Sequence, residues 1–358
     1  MLELRNVGKS VGGQVHVEGV SMRMEKGSLN VLLGPTLSGK TSLMRLMAGL
    51  DAPTSGDILM NGTSVVGVPV RKRNVAMVYQ QFINYPSLTV FENIASPLRI
   101  AGADKATIEA KVRKAAELLK LMPYLGRTPL SLSGGQQQRT ALARAVVKGA
   151  ELVLLDEPLA NLDYKLREEL REELPKVFAE TGAIFVYATT EPSEALLLGG
   201  ATATLHEGRV TQFGRTIDVF NRPVDLVTAE TFSDPPLNSL AVTKAGDDLV
   251  LGEGVRVPAP AAARSLGDGA YRVGFRPHHL HLDPPAGRAV ELVVPVAVTE
   301  ISGSESFVHV DFAGARWVAL AHGVRAVSVD ERIPVWLDPE RFFVFTPEGR
   351  LVAAPATV

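Results

Sequence analysis

The chain has no cysteine in 358 residues. A disulfide scaffold and thiolate metal sites are therefore excluded, and a reducing compartment suits the composition. An excess of one charge is also missing: 37 Lys and Arg stand against 39 Asp and Glu, a net charge of −2. That balance gives no global attraction to nucleic acid or to an anionic membrane, so no nucleic-acid partner is expected. No apolar run approaches the ~20 residues that span a bilayer. Met1 to Asn6 carry Glu3 and Arg5 where a secretory signal needs an apolar block. Any membrane role is expected to come through a partner. What the chain does have is 46% hydrophobic residues, enough for packed globular cores, in a length that favours two domains over one.

The most informative stretch is Gly34-Pro35-Thr36-Leu37-Ser38-Gly39-Lys40-Thr41, which fits the phosphate-loop pattern G-x-x-x-x-G-K-[ST] at every fixed position. Leu29 to Leu33 reads as a short buried strand, and Ser42 to Ala48 as a helix with one apolar face. A strand that enters a glycine-rich turn and then a helix aims backbone N–H groups and a positive helix end at an anion. Lys40 then reaches the outer phosphates, and the Thr41 hydroxyl is placed to hold Mg²⁺.

Strands are expected at residues 2–7 and 15–24, around the Gly12-Gly13 turn, forming a small β-layer beside the phosphate-loop strand. Asp57 to Met60 and Asn74 to Tyr79 read as further strands, the second ending at Gln80. From Phe82 to Leu132 the pattern turns helical. Thr89 and Glu92 have the spacing of a capping box, and apolar residues recur at helical intervals from Lys105 to Leu121. A helix is then expected from Gln137 to about Lys148, capped by Ser133, with Gly134 and Gly135 exposed at its positive end as a second anion-binding design. On its own, such a Ser-Gly-Gly turn is common punctuation.

Leu152 to Leu155 is a continuous apolar run closed by Asp156 and Glu157, as suits a central parallel strand buried on both faces. Acids at such an edge lie where open α/β sheets bind ligands. Asp156 is placed to hold Mg²⁺ and Glu157 to orient or deprotonate a water. Asn161-Leu162-Asp163 opens another helix, with Asp163 as its cap. Ala183 to Ala188 is a further buried strand leading into Thr189-Thr190-Glu191-Pro192, where Pro192 suits the first helical turn. Residues 201–212 read as a hairpin, two short helices end near Phe232, and Asp234-Pro235-Pro236 marks the domain boundary. Beyond it short β segments alternate with Gly and Pro turns, the spacing of one or two small barrels. His279 and His281 can share a strand face there, but no carboxylate or cysteine joins them at ligand spacing, so surface histidines are the simpler reading.

Taken in order, the phosphate loop, the strand ending in Gln80, Leu132-Ser133-Gly134-Gly135-Gln136 and the run into Asp156-Glu157 resemble the nucleotide-binding subunits of ABC transporters. The resemblance spans residues 1–232. Residues 271–280, Tyr-Arg-Val-Gly-Phe-Arg-Pro-His-His-Leu, resemble a turn in the regulatory β-domain of maltose- and glycerol-phosphate-type importer ATPases. The implied fold is an α/β P-loop ABC ATPase domain over 1–232, with a parallel core sheet, an N-terminal β-layer and a helical subdomain over about 82–135. A C-terminal all-β, OB-like regulatory domain would follow over 233–358. The implied activity is ATP hydrolysis with Mg²⁺, on the cytoplasmic face of the inner membrane. The implied partners are a second ABC ATPase subunit, two membrane permeases and, indirectly, an external substrate-binding protein.

By the same resemblance Gly34 to Ser42 wrap the triphosphate, and Gln80 senses Mg²⁺ and the attacking water. The region from Phe82 to Asn93 receives a helix from a membrane subunit. Ser133, Gly134, Gly135 and Gln136 press on the γ-phosphate bound by the opposite subunit, and Asp163 lies across the dimer seam. The sequence departs from the family in three places. Val11 stands where an aromatic residue stacks on adenine, Leu37 replaces a third loop glycine, and Thr190 stands at the switch histidine. A leucine does not take φ > 0 freely, and a threonine offers no tunable cationic donor. An impaired phosphate-loop half beside an intact Ser133–Gln136 half leads us to expect a heterodimer with a non-identical ATPase, a pairing that resembles glycerol importers. Two rival readings are a nucleotide-sensing regulatory subunit that does not hydrolyse, which Glu157 argues against, and a soluble ABC ATPase. The latter usually carries two ATPase halves or a long coiled coil, and neither is visible.

Overall fold

Leu152–Asp156 and Ile184–Thr189 are buried at every position, as strands covered on both faces must be. They are inner strands of a six-stranded sheet in the structure, a computed structural model that describes residues 1–160 and 162–356. Two units are present, Met1–Thr216 and Ile217–Val358.

In chain order the first unit contains β1 (Leu2–Val11), β2 (Gln14–Met24), β3 (Leu29–Leu33), α1 (Lys40–Ala48), β4 (Ser55–Met60), β5 (Thr63–Ser64), β6 (Val75–Val78), α2 (Val90–Ile100), α3 (Lys105–Leu118) and α4 (Gly134–Val147). It continues with β7 (Leu152–Asp156), α5 (Tyr164–Thr181), β8 (Ile184–Thr189), α6 (Pro192–Leu198), β9 (Ala201–His206) and β10 (Arg209–Arg215). The large sheet has the order β10-β9-β3-β8-β7-β6, parallel except for β10 at its edge. An antiparallel sheet, β2-β1-β4-β5, forms the expected N-terminal layer. Between the two sheets lies α1, whose Leu43, Met44, Leu46 and Met47 share one core with Leu2, Leu4 and Val20 on one side and Leu32, Leu154 and Val186 on the other.

The helical region follows its caps. Thr89 closes a full capping box with Glu92 at the start of α2. The sequence reading of α4 needs correction: the helix starts at Gly134 and not at Gln137. Ser133 Oγ accepts from Gln136 N, and Gln136 Oε1 accepts from Ser133 N, so the box folds both glycines into the first turn. Asn161, expected to open α5, lies outside the described residues.

The second unit contains α7 (Thr216–Asn221), α8 (Leu226–Thr231), β11 (Asn238–Ala245), β12 (Asp248–Val250), β13 (Arg256–Pro258), β14 (Gly269–Phe275), β15 (Leu280–His281) and β16 (Val290–Ile301). It ends with β17 (Glu305–Phe312), β18 (Ala315–His322), β19 (Arg332–Leu337), β20 (Phe343–Phe345) and β21 (Leu351–Ala353). Two antiparallel sheets, β13-β12-β11-β14-β20-β21 and β15-β19-β16-β17-β18, enclose the main core of the unit. Trp317 of one sheet meets Phe275 of the other edge to face at 5.1 Å. His278 and His279 pack ring to ring, and burial, aided by His278 and Arg341, pushes His279 down to about 3. Among the described residues no group of metal-ligating side chains forms.

The break between units falls at 216/217, not at the expected 232/233. Packing explains the difference. Arg276, only 7% exposed, donates Nη2 to the Phe220 carbonyl (2.7 Å) and lies 3.5 Å from that ring's centroid. Phe232 meets Phe220 edge to face, and Ala229 joins Leu237, Phe343 and Phe345 in a small core. The Asp234-Pro235-Pro236 turn therefore lies inside the second unit. A fragment starting at residue 217 is expected to exceed one starting at 233 in unfolding free energy by about 2–4 kcal/mol. Urea titration with tryptophan fluorescence tests this, and coincident transitions would show that α8 adds nothing to the unit.

Candidate functional site

Parallel pairing brings four chain exits to one edge of the large sheet. Leu33 aligns with Thr189, Asp156 with Ala188, and Val78 with Leu155. The residues that follow are Gly34, Glu157, Thr190 and, two positions beyond Val78, Gln80. This is where an open α/β sheet presents a ligand site. Gly39, at φ 100, caps α1 without a side-chain hydrogen bond. A Cβ there would lie 2.8 Å from the His16 carbonyl oxygen, so only glycine fits. The first N–H groups of α1 thus point from an uncapped helix end.

Lys40 is 4% exposed. Its Nζ donates to the carbonyls of Gly34 (2.8 Å) and Pro35 (3.0 Å) and lies 3.7 Å from Glu157 Oε1. Burial holds its pKa below the usual lysine value, with Glu157 and Asp156 pulling the other way. Thr41 Oγ1 donates to Asp156 Oδ2 at 2.9 Å, and Gln80 Nε2 donates to Glu157 Oε2 at 2.9 Å. Asp156 is 3% exposed, and burial raises its pKa against the Thr41 hydrogen bond and the Lys40 charge. Five side chains from three segments therefore form one hydrogen-bonded and ionic cluster: Lys40, Thr41, Gln80, Asp156 and Glu157.

A cleft of about 410 Å³ opens over this cluster, lined also by Thr36, Leu37, Gly39 and Ser42. Leu37 is 96% exposed with φ 68, so the chain accepts the left-handed conformation that the sequence marked as unfavourable. Glu157 (φ 46) and Glu207 (φ 45) border the same cleft in the same region of backbone space. Non-glycine residues held there cost about 1–3 kcal/mol each and gather at functional sites. Ser38 is buried with no hydrogen-bond partner for its Oγ. An unmet hydroxyl, an uncapped helix end and a cation held by backbone carbonyls suit a phosphate chain, and the adjacent Thr41 and Asp156 oxygens suit a hard cation.

Not every expected residue joins the cleft. Val11 and Thr190 are exposed and, among the described residues, do not line it; Ser133 to Gln136, expected to face the nucleotide of an opposite subunit rather than this cleft, cap and open α4. The cleft is lined as well by Val15 and His16 of β2 and by Glu207-Gly208 of the β9–β10 turn. These residues carry no motif. They arrive because Gly208 N donates to Ser38 O (3.0 Å) and Glu18 N to Gly208 O (2.9 Å).

Because the fold raises the Asp156 pKa, it favours the protonated acid. The associated stability is present below the unfolded-state value of ~4 and is lost as pH rises through the folded one. Asp156→Asn is therefore expected to raise the melting temperature of the ligand-free chain at pH 7 by about 2–4 °C, with a smaller gain near the unfolded-state value, at about pH 4. Calorimetry at the two pH values checks this; a variant less stable at pH 7 would contradict the burial argument.

A family model described as "ABC transporter" matches residues 17–160, and one described as "TOBE domain" matches residues 273–345. An sn-glycerol-3-phosphate import ATP-binding protein of Cupriavidus necator is 36% identical over 367 residues, covering 99% of each chain. An uncharacterized ABC transporter ATP-binding protein of Sinorhizobium fredii is 35% identical over 341 residues, covering 94% of this chain and 90% of that one. Among solved structures, a dimeric ATP-binding cassette in a post-hydrolysis state with ADP and Pi aligns with a TM-score of 0.55 at 27% identity, over 60% of this chain and 99% of that one. With its phosphate loop, sheet-edge carboxylates and C-terminal β-domain all accounted for, the chain belongs to the ABC transporter family, as an ATP-binding subunit that carries a TOBE domain.

Proposed function

We propose that this chain hydrolyses ATP to drive an importer of sn-glycerol 3-phosphate or a related polyol or sugar. The cluster of Lys40, Thr41, Gln80, Asp156 and Glu157 at one sheet edge carries the reading. Gly34 to Ser42 wrap the triphosphate. Lys40 exchanges its carbonyl partners for phosphate oxygens, and Ser38 gains the partner its buried hydroxyl lacks. Thr41 and Asp156 hold Mg²⁺, with Gln80 beside them. Bound Mg²⁺ supplies charge neutralisation on the phosphates. Glu157, aimed by Gln80, accepts a proton from the attacking water.

The cargo follows the full-length relatives named for sn-glycerol-3-phosphate import. Two permeases and an external binding protein complete such an importer. Among the described residues no helix is long and apolar enough to cross a membrane. In this reading the permeases hold the chain peripherally at the cytoplasmic face, as the import ATP-binding relatives suggest.

The second ATPase subunit is a non-identical chain. In this reading each ATP lies between the phosphate loop of one subunit and Ser133 to Gln136 of the other. This chain joins a weakened first half, with Val11 where an aromatic residue would stack on adenine and Thr190 unable to offer a cationic donor, to a fully capped α4. A homodimer would repeat the weakness in both sites, whereas a heterodimer confines it to one.

Glu157→Gln is expected to lower single-turnover hydrolysis by about 10²–10³ while ATP affinity stays within about threefold. Failure to bind Mg²⁺-ATP in a titration calorimeter would end the ATPase reading. The chain alone should turn over slowly, speed up with the companion ATPase, and gain rate on Thr190→His. Fast turnover by the isolated chain would end the heterodimer proposal and leave the rest standing.

A further inference from the structure

Beside the cleft, without lining it, α5, β8 and α6 share a cluster of charges. Glu194, 4% exposed, accepts from Thr189 Oγ1 (2.6 Å) and Tyr187 OH (3.0 Å) with Oε2, and from Arg171 Nη2 (3.3 Å) with Oε1. Arg171 Nη2 also reaches Glu191 Oε2 (2.6 Å), and its Nη1 reaches Glu168 Oε1 (2.6 Å). One turn earlier on the same face of α5, Arg167 Nη1 donates to Glu191 Oε1 (3.0 Å), and its Nη2 lies 3.5 Å from the carbonyls of Ala160 and Leu162. Glu191 N donates to Thr189 Oγ1 (3.0 Å), and the Thr189 carbonyl accepts from Gly34 N (3.3 Å). Polar contacts thus run without a break from the segment after Glu157, across the exit of β8, to the first residue of the phosphate loop.

We propose that Arg167 and Glu191, backed by Arg171 and Glu194, are positioning residues for hydrolysis. Their contacts make the segment after Glu157, the Thr189–Glu191 turn and the phosphate loop shift as one body. The proposal rests on the ATPase reading above.

Three observations carry it. First, stability alone does not account for the cluster. Replacing a partly buried ion-pair network with well-packed apolar side chains is often neutral or stabilising, and here Nε of both arginines is buried with no partner. Second, the pinned residues are the two neighbours of Thr190, so an exposed side chain at the sheet edge stands on a backbone fixed from both sides. Third, Glu191 gives each of its oxygens to a different arginine. Shifting Arg167 must therefore drag the turn, since the carboxylate cannot follow one cation without straining its bond to the other.

The test is single-turnover hydrolysis of ATP by excess full-length chain, with the dissociation constant of ATP measured in parallel. Arg167→Met keeps most of the side-chain stem and removes its polar contacts, and Glu191→Gln keeps the shape and removes the charge. Each is expected to slow hydrolysis about tenfold, with ATP affinity changed less than about twofold and melting temperature nearly unchanged. The double variant should be no slower than the worse single one, because the pair acts as a unit. Arg167→Lys, which restores the charge with one donor group, should recover part of the rate. Unchanged hydrolysis in Arg167→Met or in Glu191→Gln overturns the inference while leaving the ATPase reading intact. So do rate losses that only follow losses in melting temperature, or that multiply in the double variant. A wild-type chain that binds no ATP removes both.

Discussion

Taking the Lys40 ammonium out of water is the constraint on which the first unit depends. The ammonium of a lysine that is 4% exposed needs oxygen around it, and this one finds two loop carbonyls and a carboxylate. Supplying them requires the exits of β3 and β7 to stand close together, with β8 between them in fixed register. It also requires α1 to begin at the loop, which holds because its apolar face is buried between two sheets. The site is thus a consequence of the core: the same layers that bury Leu43 and Met47 aim Lys40 and Thr41 at the sheet edge.

Several features at that edge make better sense as preparation for a ligand than as stabilisation of the chain. Leu37 and Glu157 occupy the left-handed region, Ser38 keeps an unmet hydroxyl, α1 has no side-chain cap, and Asp156 is an acid whose burial disfavours its charge. Each is a modest cost to the fold alone. A polyanion carrying a divalent cation would satisfy all of them at once, since it brings oxygens to the donors and positive charge to the carboxylates.

The second unit is organised differently. Its main core lies between two antiparallel sheets, with Phe275 in contact with both Trp317 and Phe342. The Arg276 guanidinium is held by a carbonyl and aromatic faces from a neighbouring helix and strand, and its pKa falls to about 10 as burial disfavours the cation. That arrangement draws residues 217–232 into the unit and moves its start ahead of the proline turn.

Much of the site was legible in the sequence because its parts are local. A phosphate loop between a strand and a helix, or two acids closing an apolar strand, can be read from a dozen consecutive residues, and so could the capping box of α2. What stayed hidden was set by contacts distant in sequence. Val15, His16 and Glu207-Gly208 reach the cleft through backbone bonds between β2, the phosphate loop and the β9–β10 turn. The Arg167–Glu191 and Arg171–Glu194 pairs join residues on different elements across the exit of β8. The sequence by itself thus determined which chemical groups the chain owns and which strands and helices carry them, because burial patterns and caps act over a few residues. Only the tertiary structure decided which groups meet, because parallel register and side-chain packing align segments that are far apart along the chain.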